Sequence, residues 1–516
     1  MDFALVRARG SNMTYQQSIE PRQQDMLVLI KLYQQGLFTD LLQSTDKLLD
    51  KFPKSTLIKN LKGAAFHSLG QFDQAILCFS QVIESNPAFP DAYNNLGNSL
   101  LKTSAINEAK SAFQNAINLN PHYFIAHNNL GKAHIENREL TSAKLHLKEA
   151  LRLKPDYIDA FMNLGTVYLL SNEFQLALNQ FTSVLKIDPN FSEAYNNLGS
   201  IHYEMKDFEA AINCYSKAIS LDPSNNLAKI NLCELLKTYE NAKDSDNPII
   251  QCNEKIKTDL KKIQVNSDSE LANFIIQSFQ VISEFDPSLS TTFTQLYKRN
   301  ETDLNCGRHI AIFEQTNIIP NFCFECFKVQ IEVTTLFDLI KLSNALYETE
   351  LNLNPTRKCM IELRSNIQGF YKAFIYCRGE KHAQIVLEQV RKMLDRLNTT
   401  STVKVKRGCS EFSLEHPDFG RADSSDESLM PFPSEWHQME LNFDEKHFYR
   451  QKEGLTPSVS TFCLSDLLIV QHWIDYAKGL GDPTAQVFQE LPIKYNETYS
   501  QAVARSSDYQ EKLALL

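Results

Sequence analysis

The sequence predicts an all-α repeat solenoid followed by an α+β domain. Two observations carry this prediction. Between Tyr93 and Pro223 one pattern of residues recurs with a period of 34, and a fixed period of this length is typical of stacked helical or helix-and-strand units. Beyond Asn305 apolar residues alternate with polar ones instead, which indicates half-buried strands. The chain therefore divides into a helical half and a mixed half.

The repeated unit has the pattern of two packed helices. Large apolar residues at helical spacing form one face of each helix, and small residues let the two helices approach closely. A closing proline stops the second helix. No unit can bury its apolar face alone, so neighbouring units stack. The columns are Tyr93, His127, Phe161 and Tyr195; Leu96, Leu130, Leu164 and Leu198; Gly97, Gly131, Gly165 and Gly199; Ala109, Ala143, Ala177 and Ala211; and Pro121, Pro155, Pro189 and Pro223.

The array extends beyond these units in both directions. A degenerate unit from Gln23 to Pro53 precedes a clearer one from Lys59 to Pro87, and residues 226–239 supply one more amphipathic helix. We therefore interpret residues 23–240 as a solenoid of about six repeats with a capping helix. Residues 1–22 are polar and unpatterned, and we expect them to be a disordered leader.

The period and the pattern resemble those of the tetratricopeptide (TPR) repeat, a helix-turn-helix unit. The resemblance implies a TPR superhelix that binds other proteins. It covers the repeats in detail and the remainder of the chain only as an architecture.

An asparagine column stands just before the Leu-Gly pair of each first helix. Its members are Asn95, Asn129, Asn163, Asn197 and Asn231. Asparagine is a middling helix former, so its recurrence asks for a reason beyond helix propensity. In TPR arrays this position faces the concave groove, and the TPR superhelix of O-linked N-acetylglucosamine transferase carries a similar ladder that can bind the backbone of an extended peptide. The alternative is an exposed asparagine that is merely common in the repeat.

Composition limits the partners and the compartment. A net charge of −10 and a pI near 5.7 disfavour nucleic acid as the main partner. No apolar run reaches membrane-spanning length, and none near the start is long enough for a signal peptide. We therefore expect a cytoplasmic protein with a protein or peptide partner and no membrane span. Eleven cysteines without an export signal favour free thiols or a metal site over disulfides.

Helical patterning continues after the array and then gives way to strands. Residues 241–304 have the pattern of a helical connector whose last helix covers 289–297. Residues 305–412 predict the order strand, helix, strand, strand, helix, strand, which matches the ferredoxin-like fold. Residues 413–516 predict an irregular acidic segment followed by C-terminal helices that dock on this domain.

Two closely spaced pairs of metal-ligand residues precede the first of these strands. Cys306 and His309 form C-x-x-H, Cys323 and Cys326 form C-x-x-C, and thirteen residues separate the pairs. Such pairs can bring four donors around one tetrahedral ion, as in a closed structural zinc site. The sequence therefore predicts a structural zinc site, with an iron–sulfur cluster as the less favoured occupant.

Three further cysteines would lie near the same sheet edge in a ferredoxin-like domain. They are Cys359, Cys377 and Cys409. Three cysteines at one sheet edge could bind a metal ion. Each of them, however, occupies a strand position whose side chain points to the same face as the inward-facing apolar residues. Because free cysteine is a good small core residue, we interpret all three as part of the core.

Signals for catalysis are weak. The sequence contains no G-x-S-x-G, P-loop or G-x-G-x-x-G motif. Cys409 could act as a nucleophile and His416 as its base, with Asp418 nearby in sequence, only if the fold brings these side chains within hydrogen-bond distance. The leading hypothesis is thus a non-enzymatic adaptor with a metal-stabilised C-terminal module. The alternative is a TPR-guided enzyme with a thiol- or metal-dependent C-terminal active site.

An RNA-binding module is the third hypothesis. The stretch from Gly369 to Tyr376, around the third predicted strand, is loosely similar to the aromatic strand of the RNA recognition motif. The first strand presents Lys328, Gln330 and Glu332 in place of a stacking aromatic residue. This hypothesis therefore ranks behind the other two.

Overall fold

The computed structural model describes residues 20–239, 247–263, 267–300, 304–365, 367–397, 399–409, 412, 415–419, 430–447, 457–458 and 462–515. The chain divides into two compact units, Met1–Gln180 and Phe181–Leu516. Nearly all of the predicted leader, residues 1–22, lies outside the described residues.

The first unit is built from helices that pack in consecutive pairs. They are Gln23–Gln34 (α1), Phe38–Lys51 (α2), Thr56–Ser68 (α3), Phe72–Ser85 (α4), Pro90–Lys102 (α5), Ile106–Leu119 (α6), Phe124–Glu136 (α7), Leu140–Leu153 (α8) and Ile158–Leu170 (α9). Helix α10, Phe174–Ile187, leads into the second unit. The first helices of successive repeats begin at residues 56, 90, 124 and 158, so the predicted 34-residue period is confirmed.

Small residues set the spacing within each helix pair. A Cβ added at Gly97 would lie 2.6 Å from the Phe113 ring, and one added at Gly131 would lie 2.7 Å from the Leu147 side chain. Carbon atoms do not approach so closely, so only glycine fits these two positions. Ala109 is fully buried in the same packing. The Gly and Ala columns of the sequence therefore mark the contact between the two helices of a repeat.

The second unit opens with helices that continue the 34-residue period. They are Ser192–Glu204 (α11), Phe208–Leu221 (α12) and Asn226–Leu235 (α13), followed by Pro248–Leu260 (α14) and Asp268–Phe285 (α15). Apolar residues of α13, α14 and α15, such as Leu232, Ile250 and Ile275, belong to the same hydrophobic core as the sheet that follows.

A five-stranded sheet organises the rest of the second unit. Its strands are Gln295–Lys298 (β1), Cys326–Val333 (β2), Arg357–Ile361 (β3), Tyr371–Arg378 (β4) and Ser401–Arg407 (β5), in the order β1-β3-β4-β2-β5 with all neighbours antiparallel. Helix α18, Leu336–Glu348, joins β2 to β3, and helix α19, Glu380–Leu397, joins β4 to β5. Two shorter helices, Cys306–Thr316 (α16) and Asn321–Phe324 (α17), precede β2. The predicted ferredoxin-like α+β order is confirmed.

The helix predicted over residues 289–297 is wrong. Residues 295–298 form β1 instead, which pairs with β3 at the edge of the sheet. Leu296 is buried in the core, while Tyr297 pairs with Lys358 on the other face. An edge strand of four residues is too short to establish an alternation, and its formation depends on β3 being available as a partner.

The two faces of the sheet differ in their covering. Helices α18 and α19 pack on one face, where Val329, Ile331 and Ile375 are fully buried with Val386 of α19. The opposite face carries Lys328 of β2, which lies opposite Tyr376 of β4 and Lys406 of β5 in the neighbouring strands. We call this opposite face the outer face.

The chain ends in helices that complete the core of the second unit. They are Ser434–His447 (α20), Leu464–Leu480 (α21), Asn496–Val503 (α22) and Ser506–Ala514 (α23). Helix α21 is buried from Leu464 to Ala477. None of the described helices is long and apolar enough to cross a membrane.

Helix α20 forms inside the segment that the sequence predicts to be irregular. The reason is a tertiary contact, because Arg308 of α16 forms ion pairs with Glu440 (2.8 Å) and Asp444 (2.6 Å) of α20. Trp436 and Phe443 add apolar contacts on the same side. Residues 420–429 of this segment lie outside the described residues.

Candidate functional site

The asparagine column forms hydrogen bonds between neighbouring repeats. In the first unit each bond joins a column asparagine to an asparagine of the preceding repeat: Asn95 Nδ2 donates to Asn60 Oδ1 (3.3 Å), Asn129 Nδ2 to Asn94 Oδ1 (2.9 Å) and Asn163 Nδ2 to Asn128 Oδ1 (2.9 Å). In the second unit Asn231 Nδ2 donates to Asn196 Oδ1 over 2.9 Å. Four of the five column members are thus one half of a repeated amide–amide contact, whereas Met162 occupies the partner position of Asn197.

These contacts change how the column is understood. Asn95 is only 8% exposed, and the other four column members are half-buried. The alternative of a freely exposed asparagine is therefore wrong. The partner column, which includes Asn60, Asn94, Asn128 and Asn196, was missed in the sequence. The signal was present, because Asn94 and Asn128 each precede a column asparagine directly and recur at the same period.

Each amide retains capacity for a further hydrogen bond. A carboxamide has two N–H donors and one carbonyl acceptor, and the inter-repeat bond uses one donor. Among the described residues, no partner donates to Asn163 Oδ1. Asn129 Oδ1 accepts a long bond of 3.4 Å from Asn128. The column can therefore donate and accept toward a ligand without breaking the contact between repeats.

In the second unit, the four predicted metal ligands line one small cavity. Cys306 and His309 of α16, Cys323 of α17 and Cys326 at the start of β2 surround a space of about 10 Å³. Cys409 lines the same space. Cys409 is half-buried and packs against the hydrophobic cluster that contains Phe412, so it belongs to the edge of a core as well as to the cavity lining. Strand β5 ends at Arg407, so strand parity does not determine where Cys409 lies.

Cys359 and Cys377 belong to the core, as predicted. Both are nearly fully buried, on the sheet face that α18 and α19 cover. Burial raises the pKa of both thiols. They are therefore inert structural residues.

A buried lysine lies beside the cysteine cavity. Lys328 is 6% exposed, and its ammonium group donates a hydrogen bond to Cys409 Sγ over 3.1 Å. Within the described part of the chain it forms no ion pair with a carboxylate. Burial raises the pKa of Cys326 to about 11, and the Lys328 charge opposes this shift.

The thiols are not arranged as a finished metal centre. In the positions that the structure gives to the described side chains, no three Cys, His, Asp or Glu residues form a group that could hold a metal ion. His309 is buried, and its ring stacks on Phe322 with centroids 5.2 Å apart. The predicted zinc site, Cys306, His309, Cys323 and Cys326, therefore stays a prediction.

Comparison with protein families supports the interpretation of the repeats. Models of the tetratricopeptide repeat match residues 63–104, 96–158 and 192–225. The chain contains tetratricopeptide repeats. TPR arrays generally bind proteins or peptides, and these repeats mark the chain as a scaffold for protein–protein interaction.

Several solved TPR proteins are similar to the array. YrrB, described as a TPR protein with an unusual peptide-binding site, is 22% identical with a TM-score of 0.30. The alignment covers 36% of this chain and 95% of the YrrB chain. MamA is 25% identical with a TM-score of 0.29, covering 31% and 94%. A thermophilic TPR protein of Thermus thermophilus, TTC0263, is 22% identical with a TM-score of 0.32, covering 35% and 99%. No curated protein matches the chain.

The thiol chemistry required by a TPR-guided enzyme is not assembled around Cys409. Cys409 Sγ accepts from Lys328. The His416 ring instead bonds the Asn317 carbonyl oxygen through Nε2 at 3.1 Å, and it packs against Trp436. The hydrogen bonds of the described residues thus give the two side chains different partners, and a nucleophile needs its base within hydrogen-bond reach.

Proposed function

We propose that the TPR array binds an extended segment of a partner protein through the backbone of that segment. The observation that carries the proposal is the repeated amide contact of the asparagine column. Because Asn95, Asn129 and Asn163 make the same bond to the preceding repeat, these successive amides are held in equivalent orientations, one repeat apart. A preorganised row of amides loses less conformational entropy on binding than freely rotating side chains do.

The chemistry of the column favours a backbone ligand. A carboxamide offers one acceptor and two donors, which complement the N–H and C=O groups of a peptide bond. Hydrogen bonds to the ligand's backbone do not depend on which side chains the ligand carries. The array is thus suited to extended segments of varied sequence. Residues of the array beside the asparagine column would supply any selectivity for the ligand's side chains.

We also propose that the cysteine cavity holds one structural metal ion, with zinc as the favoured occupant. Two sets of four ligands are available, because Cys306, Cys323 and Cys326 can be joined either by His309, as the sequence predicts, or by Cys409. Thiolates and imidazole are the ligands of closed zinc sites. A bound ion would draw these side chains together and tie α16, α17 and the start of β2 to one another.

The buried Lys328 favours Cys409 as the fourth ligand. Burying an ammonium group costs several kcal/mol unless a negative charge lies nearby, and no carboxylate of the described residues pairs with Lys328. A zinc ion with four thiolates carries a net negative charge, and the Cys409 sulfur is already the hydrogen-bond acceptor of Lys328. Lys328 would then offset the charge of the site, as outer groups do around other metal centres.

The column predicts linked losses of stability and binding. Asn129→Ala and Asn163→Ala each remove one inter-repeat hydrogen bond, so each should lower the free energy of unfolding of the first unit by about 0.5–1.5 kcal/mol. Peptides selected by display on the full-length chain should bind the double variant at least about tenfold more weakly, a loss of about 1.4 kcal/mol. Circular dichroism and fluorescence anisotropy would measure the two effects.

A matched control comes from the same array. Asn115 is an exposed asparagine on the second helix of its repeat, so Asn115→Ala should change neither property. The backbone-binding proposal fails if the double variant, kept at a temperature where it is folded, binds the selected peptides as tightly as the unmodified chain does.

A further inference from the structure

A second cavity opens on the outer face of the sheet. It has a volume of about 730 Å³, and its aromatic lining residues are Tyr297 of β1 and Phe374 and Tyr376 of β4. Five basic residues and a single acidic residue, Glu362, complete the charged part of its described lining. This concentration of positive charge lies in a chain whose net charge is −10.

Cations and aromatic rings alternate along the outer face. The Arg299 guanidinium lies 5.6 Å from the centroid of the Tyr297 ring. The Lys358 ammonium lies between two rings, 5.7 Å from Tyr297 and 5.9 Å from Phe374. The Lys328 ammonium follows, 6.0 Å from Phe374 and 5.0 Å from Tyr376.

Lys358 has no negative partner among the described residues. Lys358 is half-buried, and it forms no hydrogen bond or ion pair with the described residues. Burial and the nearby Lys328 charge lower the pKa of Lys358 to about 8. Glu362 does not offset these charges, since it already pairs with Arg364 at 2.8 Å and with Lys372 at 3.2 Å.

Packing against the rings does not compensate for the crowded positive charges. A cation over an aromatic ring gains about 0.5–1 kcal/mol at exposed sites and about 2 kcal/mol when desolvated. The loss of hydration of a buried ammonium group amounts to several kcal/mol. An anion bound in the cavity would supply the missing charge.

We propose that the outer-face cavity binds a nucleotide, whose ring stacks on Phe374 or Tyr297 and whose phosphate lies near Lys358. Aromatic side chains stack on nucleobases without regard to their sequence, and lysine binds phosphate as a point charge. The volume falls within the range of about 300–1,000 Å³ that holds small ligands. The nucleotide is either free or part of a single RNA strand, because the cavity is open to the surface along the sheet.

The site is independent of the TPR proposal. It lies wholly within the second unit and uses none of the asparagine column. Binding of a nucleotide would therefore leave the peptide test of the array unaffected, and failure of either would not decide the other.

Calorimetric titration of the full-length chain tests the proposal. The probes are the ribonucleoside 5′-monophosphates, adenosine, inorganic phosphate and a short single-stranded oligouridylate. At least one monophosphate should bind more tightly than adenosine or phosphate alone, because both halves of the ligand contribute. Lys358→Gln and Phe374→Leu should each weaken that binding by about tenfold or more.

The control variant is Lys392→Gln, an exposed lysine on helix α19, which packs on the opposite face of the sheet. It should leave the affinity unchanged, and unaltered tryptophan fluorescence would show that each variant is folded. Tighter binding of the oligouridylate with the same sensitivity to both variants would support the site and identify RNA as the source. The proposal is overturned if no nucleotide or oligonucleotide binds at about 1 mM, or if both variants bind as well as the control.

Discussion

Protein purified under reducing conditions without added metal should contain about one zinc ion per chain. Removing the ion with a chelator should unfold the region around α16, α17 and the start of β2, because a closed zinc site contributes its binding free energy to folding. For small zinc-binding domains this contribution is about 10–16 kcal/mol. The expected effect is therefore large, and it should be confined to the second unit.

The tryptophans allow the affected region to be followed. The chain has two, Trp436 and Trp473, and both lie in the second unit. Trp436 packs beside the Phe324 ring, 6.3 Å away, next to Cys323 in the same hydrophobic cluster. Loss of the ion should shift tryptophan emission to the red, while the first unit keeps its helical circular dichroism.

Alanine variants identify the ligands. Cys323→Ala and Cys326→Ala should lose the zinc, and Cys359→Ala, in the core, should retain it. Cys409→Ala and His309→Gln separate the two ligand sets, and we expect Cys409→Ala to be the one that loses the ion. Metal-free protein of unchanged stability would contradict the metal site. Iron with a visible absorption band would instead indicate an iron–sulfur cluster and revive the enzymatic alternative.

Lys237→Met should lower the free energy of unfolding of the second unit by about 3–5 kcal/mol, because it leaves a buried carboxylate without its cation. Lys237 lies 3.1 Å from Asp466 and 3.2 Å from Glu234. Asp466 is fully buried in the first turn of α21. Burial acts to lower the pKa of Lys237, but Asp466 and Glu234 outweigh burial and raise it.

This ion pair joins the turn that follows α13 to α21. Urea titration followed by tryptophan emission would measure the loss, since Trp473 belongs to α21. The control is Arg391→Met, which removes the exposed pair of Arg391 and Glu388 on α19 and should cost less than about 1 kcal/mol. Equal effects of the two substitutions would show that the buried pair is not what connects this turn to α21.

The sequence predicted what depends on local periodicity. The repeat spacing located the first helix of each repeat. The change from helical spacing to alternating apolar and polar residues located β2. Helix α19 has the predicted bounds, Glu380–Leu397, because its apolar residues recur at helical spacing over its whole length. In these segments a residue's neighbours along the chain already determine which side must be buried.

Features that depend on distant partners were missed. Strand β1 exists because β3 offers it an edge, and α20 is held by Arg308. Cys409 joins the cysteine cavity because β5 ends two residues earlier. On the outer face, the sequence located the aromatic strand β4, but it missed the Tyr297 ring, because β1 was predicted to be helix.

The most direct test of the backbone-binding proposal is an N-methyl scan of a peptide selected on the full-length chain. Each methyl group removes one backbone N–H donor and leaves the side chain unchanged. If the asparagine column binds the backbone, methylation at several positions inside the bound segment should weaken binding by about tenfold or more, methylation of flanking residues should have no effect, and most alanine substitutions in the peptide should be tolerated. Tolerance of every methyl group, together with loss of binding on alanine substitution, would contradict the proposal.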